Sequence, residues 1–446
     1  MPPNLRRVLL LAFLLRSILF GAAYFSLRDP QAFYAKDTWS YLQPAIEWIT
    51  QGSFTMHGEP ELFRTPGYAA LLGFGIKLGH IEFITIALQI LLSCVTTYLL
   101  FRIAKDLFDD TCAAVWSALL YSLEPLSIIA CSWLLSETLF ATLLAAALFF
   151  LITFARQHKT SSIILSAVFF AAAAYVRPIG YFLPLVLTLV LLLWSVVQRK
   201  GRLVKPALLF CIVSLALMGL WQVRNYRQSG YGGFSVAMAY NLYFHQVAAL
   251  RANAEQRPFY EVLDEMGFYD RARYLQAHPE QQSWPLADRY EFMRREGIAA
   301  VWRAPLTAGK IYLRGLAIAL FDPGAAEYLR LFQAYPRSGR LMDTLVREGI
   351  VSLLQHIITA QPLLFVLSAM FGLWLLVNYA LALLGLKGQP LTLPLLLLLA
   401  TGLYQLALSG GTLASGRFRM PVMIVVCILA GQGLSKALAR LPQVKR

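Results

Sequence analysis

Residues 133–154 read WLLSETLFATLLAAALFFLITF and carry one charged side chain, Glu137, near their start. A helix needs about 20 apolar residues to cross the hydrocarbon core of a bilayer. Because a helix satisfies its own backbone hydrogen bonds in lipid, this run predicts a membrane-spanning helix. The whole chain agrees, since 58% of its 446 residues are hydrophobic and 14% are charged. Soluble proteins carry about 25% charged residues, so the composition indicates that much of this chain meets lipid rather than water.

Similar apolar runs recur along the chain and predict an all-α polytopic membrane protein with about ten spans. The runs cover about 8–27, 82–103, 112–130, 133–154, 161–177, 179–197, 204–221, 361–385, 390–408 and 418–436. The first run lacks a small-residue cleavage site, so we interpret it as a retained span. This divides the chain into a membrane domain over 1–221, an outer helical region over 222–360 and C-terminal membrane helices over 361–446.

The basic residues predict the orientation of these helices. With the N-terminus inside, every short inner segment is rich in Lys and Arg, as cytoplasmic loops are. These residues are Arg6, Arg7, Arg102, Lys105, Arg156, Lys159, Arg199, Lys200, Arg202, Lys205, Lys387, Lys436, Arg440, Lys445 and Arg446. The basic cytoplasmic loops of a membrane protein therefore explain the net charge of +15 better than nucleic-acid binding does. We expect both termini in the cytoplasm and the protein in a bacterial inner membrane.

Two long segments, about 28–81 and 222–360, are predicted to lie outside. Residues 306–321 are short and carry Lys310 and Arg314, so we place them at the membrane interface. Residues 68–79 are also too short to span and are expected to be re-entrant or interfacial. We expect 222–360 to fold as a helical cap on the membrane.

Charged residues are concentrated at the predicted outer ends of the spans. They come from six parts of the chain and are Asp37, Arg64, Glu124, Glu137, Arg177, Arg224, Arg417 and Arg419. Interfacial anchoring explains any one of them, but it does not select one side of the membrane for the whole set. Arg16, in the middle of the first span, either has a function, faces the bundle interior or extends its charged end to the membrane surface.

The residue types in this set suit transfer from a phosphate-bearing lipid. Asp37 either caps the amphipathic stretch that follows it or acts as a general base on a hydroxyl group. Arg donates two parallel hydrogen bonds to phosphate. Arg64, Arg177, Arg224, Arg417 and Arg419 therefore predict a site for a lipid phosphate or pyrophosphate.

Motifs for nucleotides and metals are missing from the sequence. It contains no P-loop, no GxGxxG opening a helix and no DxD pair. His57, His80, His158, His245, His278 and His356 lack metal-ligand spacing, and the five cysteines form no CxxC. We expect inert thiols and chemistry without a nucleotide, cofactor or dedicated metal, with a divalent ion left open.

Several fragments occur in a recognisable order. They are Asp37, RTPGY (64–68), FRIAKDLFDD (101–110), LLSETLF (134–140), YVRPIG (175–180) and GRFRMP (416–421). Together they resemble the GT-C class of membrane glycosyltransferases, most closely the bacterial glycosyltransferase family 39 type. That type is similar to protein O-mannosyltransferases and lipid A aminoarabinose transferases. Residues 228–350 match no known pattern.

The resemblance implies an inverting transfer of a sugar from a polyprenyl-phosphate donor to a glycan, lipid or protein acceptor. Asp37 matches the family's general base. Arg64, Arg177 and Arg417, in that order, are the candidates for binding the leaving phosphate. Glu137 orients a sugar or pairs with an arginine, and Tyr41 and Tyr68 flank the site. Two positions depart from the family, because Lys36 and Ser415 stand where acids are common.

Two other functions remain open from the residues. A lipid or glycolipid transporter would need polar residues deep in several spans and usually repeated halves. An O-antigen-type polymerase or ligase would use lipid pyrophosphate donors and also have a large outer loop with arginines. The acid of the first loop and RTPGY favour the sugar transferase over both.

Overall fold

The computed structural model describes residues 3–199, 201–335, 352 and 361–440. The first half contains nine α-helices and a short antiparallel hairpin. They are α1 (Pro3–Leu27), α2 (Thr38–Gln51), β1 (Thr55–Met56), β2 (Glu59–Pro60), α3 (Pro66–Lys77), α4 (Ile81–Phe108), α5 (Thr111–Ser122), α6 (Pro125–Ala130), α7 (Glu137–Gln157), α8 (Thr160–Val176) and α9 (Leu183–Val197). Short 3₁₀ turns occupy Pro30–Phe33 and Pro178–Gly180.

The described parts of the second half also consist of helices joined by loops. Its helices are α10 (Val204–Ser229), α11 (Ala237–Tyr240), α12 (Ala248–Glu255), α13 (Phe259–Glu265), α14 (Arg271–Ala277), α15 (Leu286–Arg303), α16 (Pro305–Phe321), α17 (Ala325–Leu331), α18 (Pro362–Leu386), α19 (Leu393–Ala407) and α20 (Met420–Ala439). A π-helix covers Asn241–Val247, and 3₁₀ turns cover Gly201–Leu203, Pro279–Ser283 and Gly416–Arg419. Parts of the predicted 222–360 and 361–446 segments, namely 336–351, 353–360 and 441–446, lie outside the described residues.

The helices confirm a multi-pass membrane protein, and about ten spans agree with them. Seven of the described helices are long and apolar enough to cross a bilayer, and α5, α8 and α19 are shorter apolar helices. One predicted span differs, because residues 112–130 are not a continuous helix. The chain breaks at Glu124, whose carboxylate caps α6 by accepting from the Ser127 amide, and Pro125 cannot continue α5.

Arg16 lies in the bundle interior and serves the packing. Its side chain is completely buried. Its Nε donates to Ser93 Oγ at 2.7 Å and its Nη2 to Ser127 Oγ at 2.9 Å, while Nη1 donates to the carbonyls of Ala12 and Ser122, both at 3.1 Å. Because every nitrogen of the guanidinium donates, Arg16 joins α1 to α4 and to the α5–α6 break. This geometry supports the interior-facing alternative.

The core lies between α4, α5, α7, α8 and α20, which pack along their lengths. Helices α18 and α20 approach unusually closely through glycine. A Cβ atom on Gly433 would stand 1.9 Å from the Leu381 carbonyl oxygen, and one on Gly385 would stand 1.9 Å from that of Leu429. Small residues allow such contact between membrane helices, so this pair fixes the position of α20.

The described residues 230–335, which follow α10, form a small helical layer at one end of the bundle. Its aromatic cluster includes Tyr243, Phe244 and Tyr274, packed across α12 to α15. Helix α16, the predicted interfacial segment, lies against the end of α19, where the Tyr312 hydroxyl donates to the Ala407 carbonyl at 2.7 Å. Thr412 Oγ1 also donates to Gln246 Oε1 at 2.9 Å. The layer is therefore attached to the loop that leads into α20.

Candidate active site

Asp37 lies at the start of α2, but its side chain does not cap the helix. No cap hydrogen bond is made by the carboxylate. Instead, its Oδ2 lies 3.2 Å from Arg417 Nη2 and its Oδ1 lies 3.6 Å from Arg64 Nη2. The side chain is 45% exposed. Asp37 therefore faces an accessible space between two arginines, and capping alone does not account for it.

Arg64 is held by a tight turn in front of α3. The buried Glu61 carboxylate accepts from the amides of Phe63 at 2.5 Å and Arg64 at 2.7 Å. Arg64 then donates from Nε to Ser40 Oγ and from Nη1 to the Tyr41 hydroxyl, both at 2.9 Å. Its guanidinium lies 4.2 Å from the centroid of the Tyr41 ring. These contacts orient Arg64 while its Nη2 faces Asp37.

A second ion pair continues the cluster on the other side of Arg417. Glu137, at the start of α7, places its Oε1 3.2 Å from Arg177 Nη1 and 4.0 Å from Arg417 Nη1. Arg177 follows the last residue of α8, where Pro178 ends the helix and leaves the side chain free to turn inward. The exposed fractions of the Glu137 and Arg177 side chains are 6% and 17%. Arg417 thus bridges Asp37 and Glu137.

The two predicted tyrosines support the cluster from behind. The hydroxyl groups of Tyr41 and Ser136 are 3.0 Å apart. Tyr68 packs edge-on against Tyr41 and is completely buried, with its hydroxyl donating to Gln89 Oε1 at 2.9 Å. The residue before Tyr68 must be glycine, because a Cβ atom on Gly67 would lie 2.7 Å from the Tyr175 carbonyl oxygen. The RTPGY sequence therefore packs directly beside the end of α8.

Arg224 and Arg419 do not join this cluster. Arg224 Nη1 donates to the Glu61 carbonyl at 2.7 Å and its Nη2 to the Phe54 carbonyl, so it fixes the 54–61 loop. Arg419 is 1% exposed and donates through Nη1 to the carbonyls of Ala319 at 2.8 Å and Asp322 at 2.9 Å. The sequence places Arg224 and Arg419 at the same end of the bundle as the cluster. It does not show that both guanidiniums bind backbone carbonyl groups.

The cluster contains more positive than negative charge. Arg64, Arg177 and Arg417 face Asp37 and Glu137. Burial raises the pKa of the Asp37 carboxyl, but the charges of Arg64 and Arg417 outweigh it and hold that pKa below its usual value. Asp37 is therefore ionised at neutral pH, and an additional anion beside the arginines would be favoured.

Sequence reasoning missed several residues that build the site. Ser40, Ser136 and Glu61 orient the charged groups, and Trp133 and Glu327 line a recess beside Arg417. Ser136 and Trp133 stand next to or within LLSETLF, so that motif was the available signal. Glu327 lies in the middle segment, whose sequence resembles no known pattern.

The metal and cofactor expectation stays a prediction. Within 3–199, 201–335 and 361–440, the structure brings together no group of three or more His, Cys, Asp or Glu suited to holding a metal ion. Asp37 and Glu137 are instead neutralised by arginine.

The helical bundle with a charged cluster at one end has the fold of GT-C membrane glycosyltransferases. Residues 63–221 match the family model of dolichyl-phosphate-mannose-protein mannosyltransferase, and this match confirms the resemblance drawn from the sequence. No curated protein matches the chain significantly.

Solved structures show the same fold. The oligosaccharyltransferase AglB from Archaeoglobus fulgidus, in complex with an inhibitory peptide and a dolichol-phosphate, gives a TM-score of 0.52 at 14% identity. The alignment covers 99% of this chain and 52% of AglB, so the chain spans about half the length of that protein. ArnT from Cupriavidus metallidurans bound to undecaprenyl phosphate aligns over 96% of this chain and 78% of its own, at 14% identity. The TM-score of this alignment is 0.38.

Proposed function

We propose that this protein is a glycosyltransferase that moves a sugar from a polyprenyl-phosphate donor to an acceptor hydroxyl group. One observation carries the proposal, namely the accessible Asp37 carboxylate held 3.2–3.6 Å from two arginines at the end of a membrane bundle. The GT-C fold supports it. AglB, which shares that fold, was solved with a dolichol-phosphate, which is the kind of lipid phosphate that the proposed donor would release.

Asp37 is the general base in this proposal. The acceptor hydroxyl gives its proton to a carboxylate oxygen of Asp37 as the acceptor oxygen bonds to the anomeric carbon. The bond from that carbon to the phosphate oxygen breaks on the opposite face, and the electron pair leaves with the phosphate. The configuration at the anomeric carbon is inverted. No oxidant, nucleotide or dedicated metal is needed to balance the reaction.

Arg64, Arg177 and Arg417 stabilise the leaving phosphate. Negative charge develops on its oxygens as the bond breaks, and fixed donors close to that charge lower the barrier. The contacts of Arg64 with Ser40 and Tyr41 hold it in place before the donor arrives. The ion pair of Arg177 with Glu137 does the same on the other side. The arginines therefore need little reorganisation during the reaction.

Donor binding would also change the basicity of Asp37. In the structure, Arg64 and Arg417 lower its pKa. A phosphate that shares these guanidiniums adds negative charge and weakens their hold on the carboxylate. Both effects raise the pKa of Asp37 toward that of an ordinary carboxyl group, which makes it a stronger base. The base would thus become most effective when the leaving group is in place.

We place this reaction on the extracytoplasmic side of a bacterial inner membrane. The charged cluster lies at the end of the bundle opposite the short basic turns, such as the one that carries Arg156 and Lys159 where α7 meets α8. Short basic loops remain in the cytoplasm. A lipid-linked donor suits the outer side, because a lipid carries the activated sugar across to a compartment without nucleotide sugars.

Sugar transfer by the purified protein tests the proposal. A panel of polyprenyl-phosphate sugars with membrane extract as acceptor should give transfer by the native chain and none by Asp37→Asn. Asp109→Asn is the matched control, since Asp109 is exposed and paired with Lys105 at 3.2 Å at the far end of α4. Consumption of pyrophosphate-linked donors, or transport without transfer, would instead support the polymerase or transporter alternative.

A further inference from the structure

We propose that Asp322 and Arg419 are positioning residues for Arg417. They attach the 3₁₀ turn that carries Arg417 to the C-terminal end of α16, and this attachment holds the guanidinium beside Asp37. The inference rests on the proposed function, in which Arg417 stabilises the leaving phosphate. It adds that the helical layer after α10 takes part in the reaction, because it sets the position of one of the arginines.

Few side-chain contacts hold Arg417 in the part of the chain that the structure describes. Its guanidinium donates a hydrogen bond to Asp37 at 3.2 Å and lies 4.0 Å from Glu137. Arg64, by contrast, also donates to two neutral hydroxyl groups. A donor phosphate would share the Arg417 guanidinium with Asp37, and the contact with Asp37 would weaken as the phosphate binds. The backbone of the turn must therefore keep Arg417 in place.

Asp322 fixes the turn on the side that precedes Arg417. It is the first residue after α16, and its two carboxylate oxygens accept from two different amides. Oδ2 accepts from Gly416 and Oδ1 accepts from Gly324, both at 2.9 Å. The approach is close, because a Cβ atom on Gly416 would lie 3.0 Å from Asp322 Oδ2. Asp322 thus joins the end of α16 to the residue next to Arg417.

Arg419 fixes the turn on its other side. Its side chain is buried, and its Nη1 donates to the carbonyls of Ala319 at 2.8 Å and Asp322 at 2.9 Å. The last carbonyl groups of a helix lack partners within the helix, and a positive charge beside them is favourable. The guanidinium therefore caps α16. Because Gly416 and Arg419 flank Arg417, the turn is attached to α16 on both sides of the proposed phosphate ligand.

Helix α16 is itself fixed to the bundle. A Cβ atom on Gly315 would stand 2.0 Å from the Gly411 carbonyl oxygen, so the helix and the loop before the turn touch through their backbones. The end of α16 is also held from α18, where the Tyr379 hydroxyl donates to the Leu320 carbonyl at 2.8 Å. A functional group needs support of this kind to stay within about 0.5 Å of its working position.

A double-mutant cycle on sugar transfer tests the inference. Asp322→Asn leaves one acceptor oxygen for two amides, so the turn shifts, and kcat/KM should fall about 10- to 100-fold. In the Arg417→Ala background the same substitution should have no further effect, because no guanidinium is left to displace. A general structural defect would instead lower kcat/KM by the same factor in both backgrounds. Asp270→Asn is the matched control and should change kcat/KM in neither, since exposed Asp270 caps α14 in the same layer by accepting from the Ala272 amide at 2.8 Å.

Gly416→Ala perturbs the same contact from the other side without removing a charged or polar group. Its methyl group would crowd Asp322, so it should lower kcat/KM in the native background and not in the Arg417→Ala background. Losses that add to that of Arg417→Ala would overturn the assignment, as would the absence of any loss in the native background. Thermal unfolding of each variant identifies one that fails to fold.

Binding of undecaprenyl phosphate separates this inference from the proposed function. Displacement of Arg417 should raise the Kd of Asp322→Asn about fivefold, with no further rise in the Arg417→Ala background. If the native chain transfers sugar but the two substitutions act additively, the inference is wrong and the proposed function stands. If the native chain transfers sugar from no donor, the proposed function is wrong, and the binding cycle still decides whether Asp322 acts through Arg417.

Discussion

Asp37→Asn should have opposite effects on turnover and on donor binding. The amide cannot take the acceptor proton, so kcat should fall by about 10²- to 10⁴-fold, the usual contribution of a general base. Donor binding should become tighter. In the native protein Asp37 occupies Arg64 and Arg417, which the donor phosphate needs, and the neutral amide releases both.

The size of this second effect follows from the exposure of Asp37. Because 45% of the side chain is exposed, solvent screens its two ion pairs. Pairs of this kind contribute at most about 1 kcal/mol each. Their loss therefore frees up to about 2 kcal/mol for the phosphate, which corresponds to a Kd up to about 30-fold lower. If Asp37 and its arginine partners were fully buried, we would expect a larger decrease in Kd.

The assay compares undecaprenyl phosphate binding and sugar transfer in the same detergent preparation. Asp109→Asn should change neither quantity, since its carboxylate is 84% exposed and pairs with Lys105. A weaker Kd in Asp37→Asn would refute competition between the carboxylate and the donor phosphate, because it would show that the carboxylate assists the phosphate. Unchanged turnover would refute the assignment of Asp37 as the base.

Three further predictions concern other parts of the molecule. Arg417→Ala should lower kcat/KM about 10²- to 10³-fold, and loss of its charge raises the pKa of Asp37, so the acid limb of the pH–rate profile should move to higher pH. Glu47 accepts hydrogen bonds from Thr55 and Gln43, and these lower its pKa from 4.5 to about 2. Its stabilisation is therefore present above pH 4.5 and lost toward pH 2, and unfolding temperatures of Glu47→Gln should lack that pH dependence. Gly433→Ala should lower the unfolding temperature through a loss of about 1–3 kcal/mol, whereas Gly372→Ala, whose added Cβ meets nothing within 4 Å, should not.

The membrane architecture could be predicted because apolar run length directly measures the ability to span a bilayer. The break at Glu124 and Pro125 was missed because hydropathy averages over a window and conceals a short helix interruption. For the site, sequence position correctly suggested that charges gather at one end of the bundle. Sequence position does not show which way each side chain points. It therefore does not separate Arg224 and Arg419 from the arginines that face Asp37. Glu327 could not be foreseen, because its neighbours in the middle segment depend on tertiary packing.

The ion pair between Asp37 and Arg417 also sets when the charged cluster can first form during synthesis. Its two residues are 380 positions apart, one in the first loop and the other in the 3₁₀ turn before the last described helix. A ribosome adding about 5–20 residues per second needs about 20–80 s to cover that interval. During this time Asp37 and Arg64 are already made while Arg417 is not. A nascent or prematurely terminated chain therefore makes most of its helices without completing the cluster.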